Sequence, residues 1–254
     1  ARALEQRSPG VLQDLLTESA QNPEDPASWQ QRLKPETLLL LTQPAEMPAF
    51  CSLVLPIGAI ATHLESLLFE QNPLIQAASL FILHQTDLQR SQEQAQSLLA
   101  PSRKATPFVE DIAQTIAKAG ASHLSLAAFP SLEKLLCLYQ SDFFSGIRSE
   151  TLIDLASRAT IKSYATNEAI TEQGDTCREL LLLMEGSAQV QRSENNAPPI
   201  TQDLQPGRVL DELEVLLHTQ QAGTIIATAP QTRILAIPVE AFDDLLDRDR
   251  DFAR

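Results

Sequence analysis

At 254 residues the chain is long enough for one large domain or two ordinary ones. Its 43% hydrophobic and 20% charged residues are a globular composition, and with only 5% aromatics the core must be built mainly from Leu, Ala and Ile. A net charge of −14, spread over both halves and without a Lys/Arg cluster, excludes a nucleic-acid backbone as partner and disfavours docking on anionic lipid.

The three cysteines, Cys51, Cys137 and Cys177, are far apart and lack CxxC spacing, and the four histidines are scattered. Neither a disulfide framework nor a metal centre is expected. The sequence opens at Ala1 without a charged-then-apolar leader, as expected of a fragment or processed product without a signal peptide.

Helical spacing governs residues 1–140. Leu12–Ala20 places Leu12, Leu15 and Leu16 on one face. The apolar run Ala49–Thr62 is too short to span a bilayer and is interrupted by Pro56, so it predicts a buried helix pair and no membrane insertion. Pro73–Thr86 starts with Pro in the first turn and predicts a stripe of Leu74, Ala77, Ala78, Phe81 and Ile82. Pro107–Lys118 repeats the device with Phe108, Ile112 and Ile116, and stops at Gly120.

Short polar breaks between Ala-rich helices predict either a helical repeat stack or an irregular bundle. The stretch NPLIQAASLFILHQTD (Asn72–Asp87) resembles the second half of a HEAT-type repeat. Such stacks mostly present surfaces to other proteins, which implies a protein partner.

After Ser149 the rhythm shortens. Ser149–Ser157 predicts a helix capped by Ser149, with Leu152, Leu155 and Ala156 inward. Strands are expected at Thr160–Tyr164, Ala169–Glu172, Glu179–Met184, Ser187–Gln191, Ile200–Leu204, Thr224–Ala229 and Arg233–Pro238. Turns are marked at Gly174-Asp175, Glu185-Gly186 and Pro206-Gly207, a short helix follows Asp211, and Val239–Leu246 predicts a closing helix. The expected fold class is α+β multidomain: an all-α domain over 1–140 and a β-roll with flanking helices over 141–254.

Several stretches in this second half carry a resemblance in their order. They are DFFSGIRSETLIDLASRA (Asp142–Ala159), YATNEAITEQGD (Tyr164–Asp175) and LLLLMEGSAQV (Leu180–Val190). Together they resemble the cyclic nucleotide-binding domain family, whose fold is a jelly-roll-like β-roll.

The resemblance implies a phosphate-binding cassette of the form Gly-Glu-Leu-Ala followed by Arg-Ala-x-Thr. In it the Arg pairs with the cyclic phosphate and the Glu takes the ribose 2′-hydroxyl. Aligned without gaps, Glu212, Leu213, Ala222 and Thr224 match the motif. Asp211 stands where Gly is expected, Gln221 where Arg is expected, and Glu214 replaces a small residue. The run Asp211-Glu212-Leu213-Glu214 reads as a capping box, in which the Asp211 carboxylate would take the helix N–H groups a phosphate needs. Loss of a guanidinium from a desolvated charge costs on the order of 3–5 kcal/mol, a hundredfold or more in affinity. Arg208, the nearest cation in sequence, reads as a solvated turn residue.

The expected function is therefore a non-catalytic regulatory or assembly module with a degenerate pocket and no resident cofactor. The helical part joined through Ser131–Phe144 to the roll resembles the soluble tail of some bacterial ATP/ADP translocase-like transporters. That resemblance implies a cytoplasmic placement and a membrane domain of the same polypeptide as partner. The family's lid helix would begin near Asp249. The alternative function is a working sensor that binds cAMP, cGMP or another nucleotide in an altered pose, which Glu212 and Thr224 keep open. No GxSxG, GxxxxGK[ST] or HExxH pattern supports an enzyme.

Overall fold

The computed structural model describes residues 58–192 and 200–248. The expected helix Leu12–Ala20, most of the Ala49–Thr62 run, Cys51 and the lid position at Asp249 lie outside the described residues. The chain divides into two compact units between Glu133 and Lys134.

Among the described residues of the first unit four α-helices follow one another: α1 (Gly58–Leu67), α2 (Pro73–Thr86), α3 (Leu88–Leu98) and α4 (Pro107–Ala119). The five residues expected to face inward on α2 are all buried, and so are Leu80, Leu83 and His84. Buried around most of its circumference, α2 is the described helix against which α1, α3 and α4 all pack. Asn72 caps α2, its Oδ1 accepting from the Leu74 amide at 2.9 Å. Asp87 ends α2 and caps α3, accepting from the Arg90 amide at 3.0 Å. The polar sequence LQRSQEQAQSL of α3 gave no apolar stripe to read, because only Ser91, Ala95 and Leu98 are buried. Among the described residues no helix is long and apolar enough to cross a membrane.

Helix α5 (Pro130–Gln140) carries the chain across the unit boundary. The second unit then contains α6 (Ser149–Arg158) and eight strands. These are β1 (Thr160–Tyr164), β2 (Ala169–Thr171), β3 (Glu179–Glu185), β4 (Ala188–Arg192), β5 (Ile200–Leu204), β6 (Val209–Leu210), β7 (Thr224–Ala227) and β8 (Thr232–Pro238). The short helix α7 (Glu212–Leu216) lies between β6 and β7, and α8 (Val239–Arg248) follows β8. Ser149 is the first helical residue of α6 and not its cap; Arg148 holds that position without a side-chain hydrogen bond.

The strands form two four-stranded antiparallel sheets, β1-β8-β3-β6 and β2-β7-β4-β5. Leu181, Leu183, Ile234 and Ala236 from one sheet meet Ala188 and Ile225 from the other in a common apolar core. The alternate residues of β3 and β8, Leu180, Leu182, Leu235 and Ile237, are also buried. They lie on the side where α6 and α8 pack with Leu152, Leu155 and Phe242. Burial on both faces explains the unbroken LLLL run of β3.

Gly186 shapes the β3–β4 turn. Its φ of 85° is left-handed, and a Cβ there would meet Thr232 Cα at 2.8 Å. The two-residue strand β6, too short for any alternation, pairs Leu210 with Leu181 and Val209 with Leu182. This pairing delivers the chain to Asp211.

Candidate functional site

The expected cassette runs from Asp211, at the N-cap of α7, through the helix and the loop after it to Thr224 at the start of β7. Asp211 sits at the N-cap of α7 with φ 63° and ψ 21°, a left-handed conformation that glycine takes freely and Asp tolerates at some cost. Its side chain makes no cap hydrogen bond. The capping box is thus corrected: an N-cap side chain reaches the N2 and N3 amides from an extended backbone, and the left-handed turn points this carboxyl elsewhere.

It meets Gln221 instead. The Gln221 side-chain amide donates to the Asp211 carboxyl, and Gln221 is only 6% exposed. The remaining oxygens, Asp211 Oδ2 and Gln221 Oε1, are buried with no hydrogen-bond partner among the described residues. Burial pushes the Asp211 carboxyl up to about 6; the Gln221 bond opposes this, the Glu214 and Glu212 carboxylates add to it, and the Arg192 charge opposes it again.

Gln221 is fixed from behind. Its N–H donates to Asp175 O at 2.8 Å and its carbonyl accepts from Gly174 N at 2.9 Å. Thr224 faces the same turn, its Oγ1 accepting from Gln173 N at 3.1 Å. Ala222 is exposed, and Leu213 projects from α7 with 63% of its surface in solvent. Glu212 is half-buried.

A cavity of about 120 Å³ lies beside α7. Asp211, Glu212 and Glu214 line it together with Arg192 and Arg208. Arg208 is exposed, as expected of a turn residue, and still borders the cavity. Arg192 was missed. It ends β4, and only the β4–β7 pairing of Gln191 with Thr224 brings it beside the cassette. Gly223 is the one local sign of that approach, since a Cβ there would meet Arg192 Cγ at 2.9 Å and Val190 Cγ1 at 3.0 Å. Among the described residues no group of three His, Cys, Asp or Glu side chains could hold a metal ion.

Two four-stranded sheets, a short helix before β7 and a closing helix define a β-roll class of domain, and comparison relates it to a family. Residues 161–249 match the family model of the cyclic nucleotide-binding domain, and this part of the chain is such a domain. Acetyltransferase Pat of Mycolicibacterium smegmatis is 28% identical over 89 residues, which are 35% of this chain and 27% of that protein. The cAMP-dependent protein kinase type II regulatory subunit of Drosophila melanogaster is 29% identical over 94 residues, 37% of this chain and 25% of that one. The chain thus spans about a quarter of the length of these curated relatives. Among solved structures, the regulatory domain of Toxoplasma gondii PKA with cAMP matches with TM-score 0.44 and 20% identity, over 50% of this chain and 52% of that one. The Thermus thermophilus catabolite activator protein matches with TM-score 0.40 and 25% identity, over 44% of this chain and 53% of that one.

Proposed function

We propose that the chain is a non-catalytic regulatory or assembly module whose cyclic nucleotide pocket has lost its phosphate site. The supporting observation is the pairing of the half-buried Asp211 with the buried Gln221. It puts an acidic group and a neutral amide where an anionic ligand needs a small residue and a guanidinium. The five-residue α7 has too few aligned peptides to offset this with its own dipole. The helical unit, on its resemblance to HEAT-type repeats, supplies a protein-binding face. In this reading, which the translocase-like resemblance supports, the module sits at the cytoplasmic side of a membrane domain. A division into helical residues 1–140 and roll residues 141–254 belongs to the same reading.

The test is calorimetric titration with cAMP and cGMP, for which no submicromolar binding is expected. The double change Asp211→Gly with Gln221→Arg is expected to create or greatly improve binding. Unchanged affinity in that variant would show that this pair is not the reason.

A second reading, a sensor with an altered pose, is favoured by Arg192, whose charge acts on Asp211 from the end of β4. It requires cAMP affinity in the unaltered chain that Arg192→Ala abolishes.

A further inference from the structure

Phe69 is the one large hydrophobic side chain exposed among the described residues of the first unit, with 73% of its surface in solvent. It stands just past α1, where its amide donates to Ser66 O at 3.2 Å and the neighbouring Leu68 is buried. Arg103, from the connection between α3 and α4, lies over the ring, its guanidinium carbon 4.3 Å from the centroid. The same guanidinium donates from Nη2 to Leu68 O at 3.3 Å and from Nη1 to Ser97 Oγ at 3.3 Å. Stacking and two hydrogen bonds thus hold one face of an aromatic ring in place while its other face meets water. A ring so fixed has little rotamer freedom left to lose when that second face is covered, which is how aromatic anchors of protein interfaces act.

The charges around the ring have both signs. Glu70, next in the chain, and Lys104, next to Arg103, are exposed, and neither forms an ion pair with another described residue. A uniformly acidic partner would be repelled by Glu70, and a uniformly basic one by Lys104 and Arg103. A second copy of the same surface, turned by half a revolution, offers the opposite sign to each. A two-fold contact sets residue i against j and j against i.

We infer that the chain forms a two-fold dimer through this edge of the helical unit, with Phe69 of each copy stacked on Phe69 of the other and Glu70 of each facing Lys104 of the other. Each ring then lies between its own Arg103 and the second ring. The inference rests on the assembly reading of the helical unit and names its partner. A patch this small supports a weak, reversible dimer. The net charge of −14 on each copy opposes approach from a distance. At about 0.15 M salt that repulsion is screened beyond roughly 8 Å, while charges in contact are screened much less.

Sedimentation velocity of the 254-residue chain at that salt concentration tests this. Raising the concentration to about 500 μM should move the monomer towards dimer and no further. Phe69→Ala should weaken the association roughly tenfold. Glu70→Lys and, separately, Lys104→Glu should each weaken it as much, because like charges then meet twice across the axis. An equimolar mixture of these two charge variants should recover the association of the unaltered chain, since in the mixed pair every charge again faces its opposite. Circular dichroism checks that each variant folds, and the mixture carries the comparison if Phe69→Ala does not. A monomer at every concentration, species larger than a dimer, association unchanged in folded Phe69→Ala, or a mixture that fails to recover overturns the inference. Each of these leaves the regulatory reading standing, which falls instead to submicromolar binding of cAMP or cGMP in the titration above.

Discussion

The Nδ1 atom of His84 on α2 lies 3.3 Å from the hydroxyl of Ser91 on α3, and neither side chain reaches solvent. The other ring nitrogen, Nε2, accepts from the Leu124 amide at 3.2 Å, so it carries no proton. Burial, reinforced by the nearby His123, lowers His84 to about 4.

Acid should therefore loosen the helical unit. An unfolded chain takes up a proton at His84 near pH 6.5, while the folded unit resists until about 4. Stability is full above 6.5 and is lost as pH falls through that window, by on the order of 2–3 kcal/mol. Hydrogen exchange of α2 amides at pH 7.5 and 4.5 should register the loss, and His84→Gln should flatten it. An unchanged slope in that variant would exclude His84 as the cause.

Asp211 predicts the opposite slope in the second unit. Folded, it keeps its proton to about 6, against 3.8 for an ordinary carboxyl, so the native state binds more protons between those values. Stability then falls as pH rises from 3.8 to 6, and the whole penalty is present above 6. Asp211→Asn should stabilise by on the order of 1–3 kcal/mol at pH 7.5 and change little near pH 4. Urea unfolding at the two pH values measures the difference.

Gly186→Ala should destabilise the second unit by roughly 2–4 kcal/mol. The added methyl group meets Thr232 Cα at 2.8 Å from a left-handed backbone, so neither neighbour yields easily. Gly174→Ala, with the same sign of φ but nothing within 4 Å of the new Cβ, should cost clearly less. Thermal unfolding of the two variants compares crowding with backbone strain alone.

Thr224 separates a structural role from a ligand role. Its hydroxyl accepts from the Gln173 amide, so Thr224→Val should cost about 1 kcal/mol of stability whether or not a ligand is present. A variant of unchanged stability that loses ligand affinity would reassign the hydroxyl to the guest.

The sequence revealed what repeats and concealed what depends on pairing across the chain. Helix α2 was legible to the residue, because Pro73 opens it and its apolar positions follow the helical period. Strands β1 and β5 were equally legible from turn residues on either side. Helix α3, which buries three residues, had no stripe to show, and β6 was too short to alternate. Within the cassette, the substitutions at Asp211 and Gln221 were visible, but their mutual contact was not. That contact depends on a left-handed backbone at a residue whose letters, D-x-x-E, spell a cap.

The two backbone bonds from Gln221 to Gly174 and Asp175 tie the loop before β7 to the connection between β2 and β3. A guest that displaced the Gln221 backbone would break those two bonds and so release the connection between β2 and β3. News of occupancy would then leave through that connection, whose residues Gln173, Gly174 and Asp175 lie open to water.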